Sequence, residues 1–317
     1  MTRFTLGFGL LVLCSCAGQK ETPIGFTRVP DAPPAEDLAP RAKPKPVPPP
    51  DDIVERSALP LRGLRLADNT SLDRRRLFDE LSRYDAVCVG EAHDDPHHHF
   101  AELVTLEELE RRARHSGEAL GVGLEMFQAP YQRYLDAFSR GRLDEADLLE
   151  KSEYEERWGF PFVYYRPLLE TARSAGLPVL ALNARRELTR EIAQRGLALP
   201  PEFERELPAL ELYDAHHRAL FDELMAGHPK GHGSPDHLYA AQVVWDETMA
   251  ARASEFLVGF RPVRKLLIIA GAAHCADPAI PERIERRTGL KVASVRLSVG
   301  APEDTRFYDY ALVLERE

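Results

Sequence analysis

Ala86-Val87-Cys88-Val89-Gly90-Glu91-Ala92-His93-Asp94-Asp95-Pro96 decides the fold of this chain. Four apolar residues ended by a glycine suit a strand buried on both faces, the kind that parallel sheets use. Asp94 and Asp95 can cap a following helix, with Pro96 in its first turn. Phe100, Leu103, Leu106 and Leu109 then continue a helical stripe. The same unit recurs along the chain. Residues 120–124 form an apolar run ending at Glu125, residues 177–182 one ending at Asn183, and residues 266–270 one ending at Gly271 and His274. Residues 292–297 predict a fifth strand, and 308–314 an added edge strand. Helices are expected over 72–83, 131–139, 167–175, 186–195, 210–224 and 237–257. Strands separated by helices predict an α/β fold over residues 61–317, a largely parallel sheet flanked by helices.

In such a sheet the carboxyl ends of the strands form the ligand crevice. Glu91, His93, Glu125, Asn183 and His274 all fall there, so two carboxylates, two imidazoles and an amide are expected to converge. In extended chain, residues two apart point the same way, which sets Glu91 and His93 side by side. Imidazole and carboxylate are ligands for borderline divalent metals, so Glu91, His93, Glu125 and His274 are candidate metal ligands. The same groups could serve as a general base with its orienter. Gln242 and Asp246, four apart on an expected helix, share a face that could close the pocket. Val243, Val244 and Met249 read as core, and Trp245 as core or pocket wall.

Three consecutive histidines, His97-His98-His99, point three ways on a helix and cannot all bind one ion. One is expected at the crevice and the others in solvent. His216-His217 reads as surface. His228 and His232 lie in a Gly/Pro/His loop suited to a lid or to loose metal binding. Cys88 and Cys275 are the cysteines of the folded part. One pair makes no disulfide framework; export would allow a Cys88–Cys275 bridge, and two buried thiols are the favoured expectation.

The N-terminus follows other rules. Met1-Thr2-Arg3, an apolar run to Leu13 and then Cys14-Ser15-Cys16 are too short to span a bilayer and read as a signal segment. Residues 17–60 are dense in proline, with Pro48-Pro49-Pro50 at the centre of a polar stretch, which predicts an extended disordered linker. The net charge is −10, without a dense Lys/Arg tract, so nucleic acid is not an expected partner.

Two resemblances follow from these residues. Leu13, Ser15 and Cys16 resemble a bacterial lipoprotein signal over residues 1–16. That implies lipidation at Cys16 and a membrane anchor; Ala17 favours the outer membrane, with the domain facing the periplasm. Gly90-Glu91-Ala92-His93-Asp94, Leu124-Glu125-Met126-Phe127, Ala181-Leu182-Asn183 with Arg186, Ala241-Gln242 with Trp245-Asp246 and Met249-Ala250, and Gly271 with His274, Ile280-Pro281 and Arg283 resemble, in order and spacing, the ChaN family of haem-binding lipoproteins, grouped with Tiki-type metalloproteases and erythromycin esterases. The likeness spans residues 65–300. It implies haem as the small-molecule ligand, a role in haem or iron uptake, and a possible homodimer. One departure is Asn183-Ala184-Arg185-Arg186, where the family often has Asn-x-Pro-Arg; it adds a cation near the crevice.

Haem needs an apolar slot and an axial ligand. Tyr164 and Tyr165, in the aromatic segment 158–166, are the candidate ligands, since a phenolate suits ferric iron. The alternative is a metal-dependent hydrolase, peptidase or esterase-like, using Glu91, His93, Glu125 and His274, with Asp246 and Arg186 orienting or holding substrate and Asn183 and Gln242 as further candidate catalytic residues.

Overall fold

The computed structural model describes residues 60–226, 234–259, 264–302 and 304–315. The expected signal segment with Cys16, the proline-rich stretch up to residue 59 and the loop with His228 and His232 lie outside the described residues. Among the described residues, no helix is long and apolar enough to cross a membrane.

The strands are β1 Leu61–Arg65, β2 Thr70–Leu72, β3 Ala86–Glu91, β4 Ala119–Gln128, β5 Val179–Asn183, β6 Arg264–Gly271, β7 Val292–Val299 and β8 Tyr310–Leu314. The main helices are α1 Arg74–Leu81, α2 Pro96–Ser116, α3 Gln132–Ser139, α4 Glu145–Lys151, α5 Tyr154–Arg157, α6 Arg166–Ser174, α7 Arg186–Arg195, α8 Pro201–Glu204, α9 Ala215–Ala226, α10 Pro235–Leu257, α11 Ala272–Cys275 and α12 Ile280–Thr288. The strands form one sheet in the order β2-β1-β8-β7-β3-β6-β4-β5. From β8 through β5 all neighbours are parallel, and β1 and β2 add an antiparallel margin.

Alternation along each central strand explains why both faces must be covered. Val87 and Val89 of β3, with Leu267 and Ile269 of β6, enter the large core beneath α1, α2, α3 and α6. Ala86 and Cys88, with Leu266, Ile268 and Ala270, enter a second core against α10 and α12. Near-continuous apolar strands are the mark of a sheet with two dry faces. Asp95 caps α2 by accepting from the His97 N–H, with Pro96 in the first turn, and Gly117 ends that helix in the left-handed region.

Two expectations need correction. Residues 310–314 are not an edge strand. β8 lies inside the sheet, parallel to β7 and antiparallel to β1, and every one of its residues is buried. The edge belongs to the β1–β2 hairpin, which the sequence reading missed. Cys88 and Cys275 are not free thiols; they form a disulfide with Cα atoms 5.2 Å apart. The bond joins β3 to α11, the turn that carries His274. That turn lies so close to β3 that a Cβ on Gly90 would fall 2.9 Å from the Ala272 Cα, which explains the glycine.

Candidate functional site

The chain order of the strands assembles the site. β6 returns to insert between β3 and β4, so the strand end leading to His274 lies between those bearing Glu91 and Glu125. Glu91 pairs with Gly271 at the last rung of the β3–β6 ladder. β4 and β6 stay paired up to Leu124 and Ile269, and β4 then runs on through a register shift against β5. Glu125 therefore sits inside β4, not after it, at the point where the ladder to β6 ends. Its Oε2 accepts the Gly271 N–H at 2.7 Å.

The converging groups form two carboxylate–imidazole units. In the first, His93 Nδ1 is 2.7 Å from Glu91 Oε1, which also accepts from the buried Tyr165 hydroxyl at 3.0 Å. Burial, reinforced by the Glu102 charge, pushes the Glu91 carboxyl up to about 8. Burial pulls the His93 imidazole down, yet its bond to Glu91 and the Glu125 charge hold it above the usual value. In the second unit, His274 lies between two carboxylates. Its Nδ1 is 2.6 Å from Asp246 Oδ1, and its Nε2 is 3.4 Å from Glu125 Oε1. Burial again opposes charge, but Glu125 and Asp246 outweigh it and raise His274 to about 9. Burial would lift Asp246 too, but His274 and His217 hold it well below the usual carboxylate range.

α10 presents Gln242 and Asp246 on one face, and Gln242 Nε2 donates to Asp246 Oδ2 at 3.2 Å. Trp245 packs on the second core and also meets the His274 ring edge-on at 6.2 Å. Asn183 is buried, and its Oδ1 has no hydrogen-bond partner among the described residues. Arg186 reaches the Glu156 carbonyl, and its N–H donates to Gln128 at 3.2 Å. The extra cation expected from Arg185 brings no free charge to the crevice, because Arg185 is ion-paired with Glu206 at 2.6 Å.

Two histidine readings are corrected. His217 is not at the surface; it is buried, with Nε2 2.8 Å from Asp246 Oδ2, whereas His216 is exposed. His98 and His99 are both buried, so only His97 keeps partial exposure. His98 Nδ1 accepts the Ala92 N–H at 2.8 Å, and burial lowers that imidazole to about 4. His99 meets Glu102 Oε2 at 3.2 Å and Glu91 Oε2 at 3.1 Å. Glu102 was missed, although its i, i+3 spacing from His99 on an otherwise apolar stripe was a usable signal. Burial pushes its carboxyl up to about 8.

An aromatic lip borders these groups. Trp158 and Phe160 lie 4.8 and 4.9 Å from the His93 ring, and Tyr164 stacks on His99 at 4.7 Å. Trp158, Phe160 and Tyr164 are half-buried, whereas Tyr165 is wholly buried and bound to Glu91.

A doubly covered α/β sheet carrying paired acids and imidazoles at its carboxyl edge defines the class of protein. Within it, residues 77–284 match the family described as haem-binding uptake, Tiki superfamily, ChaN, and the chain belongs to that family. The structure is similar to that of ChaN of Campylobacter jejuni, described as showing cofacial haem binding. The TM-score is 0.65 at 21% identity, over 80% of this chain and 96% of that one, a likeness of fold. A weaker likeness is to the erythromycin esterase EreC, with a TM-score of 0.43 at 12% identity, over 80% of this chain and 82% of that one. No curated protein matches the chain.

Proposed function

We propose that this chain binds haem at the crevice mouth and serves haem or iron uptake, held at the outer membrane by a lipid on Cys16. The observation that carries this reading is the aromatic lip: Trp158, Phe160 and Tyr164 are half-buried beside His93 and His99. A porphyrin needs flat apolar contact and an axial ligand, and a phenolate suits ferric iron. Tyr164 fits that role. Tyr165 does not, because its hydroxyl is committed to Glu91 and burial pushes its ionisation far upward. Bound haem would supply the iron centre, and the chain would supply the slot and the phenol. The test is addition of haemin to the purified chain. A saturable shift of the Soret band is expected; an unchanged free-haemin spectrum at micromolar concentration overturns the reading.

A second reading, hydrolysis, is favoured by one observation. His274 is held by a wholly buried carboxylate and faces Glu125, the arrangement of an oriented acid/base. Here Glu91 would act as base or metal ligand, with His93 and His274 as ligands or proton carriers. Turnover of any member of an ester and peptide panel, lost in Glu91→Gln, supports it; no turnover across the panel removes it.

A further inference from the structure

Glu91, His99 and Glu102 form a cluster that shares Glu91 with the first crevice pair and adds two groups that neither pair uses. All three side chains are essentially without solvent exposure, and each offers a ligand atom within 4.8 Å of the others. The tautomer of His99 is the informative point. Its Nε2 lies 3.1 Å from the His93 carbonyl oxygen, which can only accept, so Nε2 carries the proton. In the neutral ring Nδ1 is then a lone pair. It faces Glu91 Oε2 at 3.1 Å and Glu102 Oε2 at 3.2 Å. Three such atoms packed out of water need a proton or a cation among them. The Glu91 and Glu102 carboxyls also face each other, and among the described residues Glu91 Oε2 and Glu102 Oε1 have no well-aligned hydrogen-bond donor. A proton can bridge one pair of these atoms, whereas a metal ion can bridge all of them.

We propose that Glu91, His99 and Glu102 form a buried site for one first-row divalent cation. The donor set is one imidazole nitrogen and two carboxylates, which suits zinc, manganese or ferrous iron. Ligand atoms on a tetrahedral ion with bonds of about 2.0 Å lie about 3.3 Å apart, close to the separations at His99. The surroundings match a metal-bound imidazole. The second ring nitrogen is pinned by a backbone carbonyl, and the Tyr165 hydroxyl donates to the other oxygen of Glu91. β3 supplies one ligand and the first turns of α2 the other two, so the ion would lock helix to sheet directly beneath His93. The site does not depend on haem binding.

The test is zinc and cobalt(II) binding to the full purified chain after chelator treatment, read by metal analysis and visible absorbance. One equivalent is expected, retained in Glu125→Gln and His274→Gln. It should weaken in Glu102→Gln and His99→Asn by more than about 100-fold, since changes outside the ligand shell alone cost about 10–100-fold. Circular dichroism checks folding. If the cluster variants do not fold, zinc X-ray absorption of the unaltered chain decides. One imidazole in the shell supports the cluster, and two place the ion between His93 and His274. That outcome, loss of the ion in either crevice variant, or no stoichiometric ion in the unaltered chain each overturn the proposal.

Discussion

His274 Nδ1 lies 2.6 Å from Oδ1 of Asp246, a carboxylate with no exposure to solvent. His217 holds the other oxygen of Asp246 at 2.8 Å. This buried anion stabilises charge on His274, and its contacts with both rings fix how they face. Asp246→Asn removes that charge while keeping the shape. The expected result is a His274 pKa well below its present value of about 9, followed by histidine proton NMR. Stability should fall by about 3–5 kcal/mol in chemical denaturation, the cost of breaking a buried pair.

The same pair predicts how stability depends on pH. His274 is raised in the folded state, so its contribution is complete below the unfolded value near 6.5 and is lost as pH rises through about 9. The shift corresponds to about 3 kcal/mol. Asp246 is depressed, so its contribution is present above the ordinary value of 3.8 and disappears in acid. The melting temperature should therefore drop between about pH 7 and 10, with Glu91 and Glu102 adding to the fall up to about 8, and His274→Gln should flatten the limb above that. A drop of the same size in the variant would assign it to other groups.

Gly90→Ala should act at a distance from its own side chain. The new Cβ would meet the backbone of α11, at the Ala272 Cα 2.9 Å away and its oxygen 3.3 Å away. The turn carrying His274 must then move. Denaturation should show a loss of about 1–3 kcal/mol, the usual cost of overpacking, and the His274 NMR signal should shift. An unchanged signal would mean that the turn does not depend on this contact.

The adjacent tyrosines should separate. Tyr165→Phe removes a buried hydroxyl from Glu91 and should cost about 1–3 kcal/mol with little effect on a haemin titration. Tyr164→Phe should leave the melting temperature nearly unchanged and abolish the Soret shift. The reverse pattern would move the iron ligand to Tyr165.

The sequence revealed what local pattern encodes. The strands ending at Glu91, Asn183 and Gly271 were legible because each is a short apolar run closed by a polar residue or glycine. α7 was legible at both ends, and α10 began two residues earlier than expected. The strand of Glu125 ran longer than its apolar run, since Gln128 still pairs with Asn183 beyond a register shift. What stayed hidden depends on partners far along the chain. The β1 segment, Leu61–Arg65, is half polar, and it becomes a strand through pairing with β8 at the other end of the chain. His217 looked like surface because the carboxylate that draws it inward lies 29 residues away. Cys88 and Cys275 are 187 residues apart, and only the topology brings them within reach.

The Cys88–Cys275 bond has a further consequence. It fastens the strand that ends at Glu91 to the turn that carries His274. Thiols persist in a reducing cytosol, and disulfides form where oxidants are supplied. The β3–β6 ladder already sets how far Glu91 lies from Gly271, and oxidation adds a covalent tie between β3 and the turn beyond it. The crevice is therefore clamped twice, by backbone pairing that any compartment permits and by a covalent bond that only an oxidant supplies.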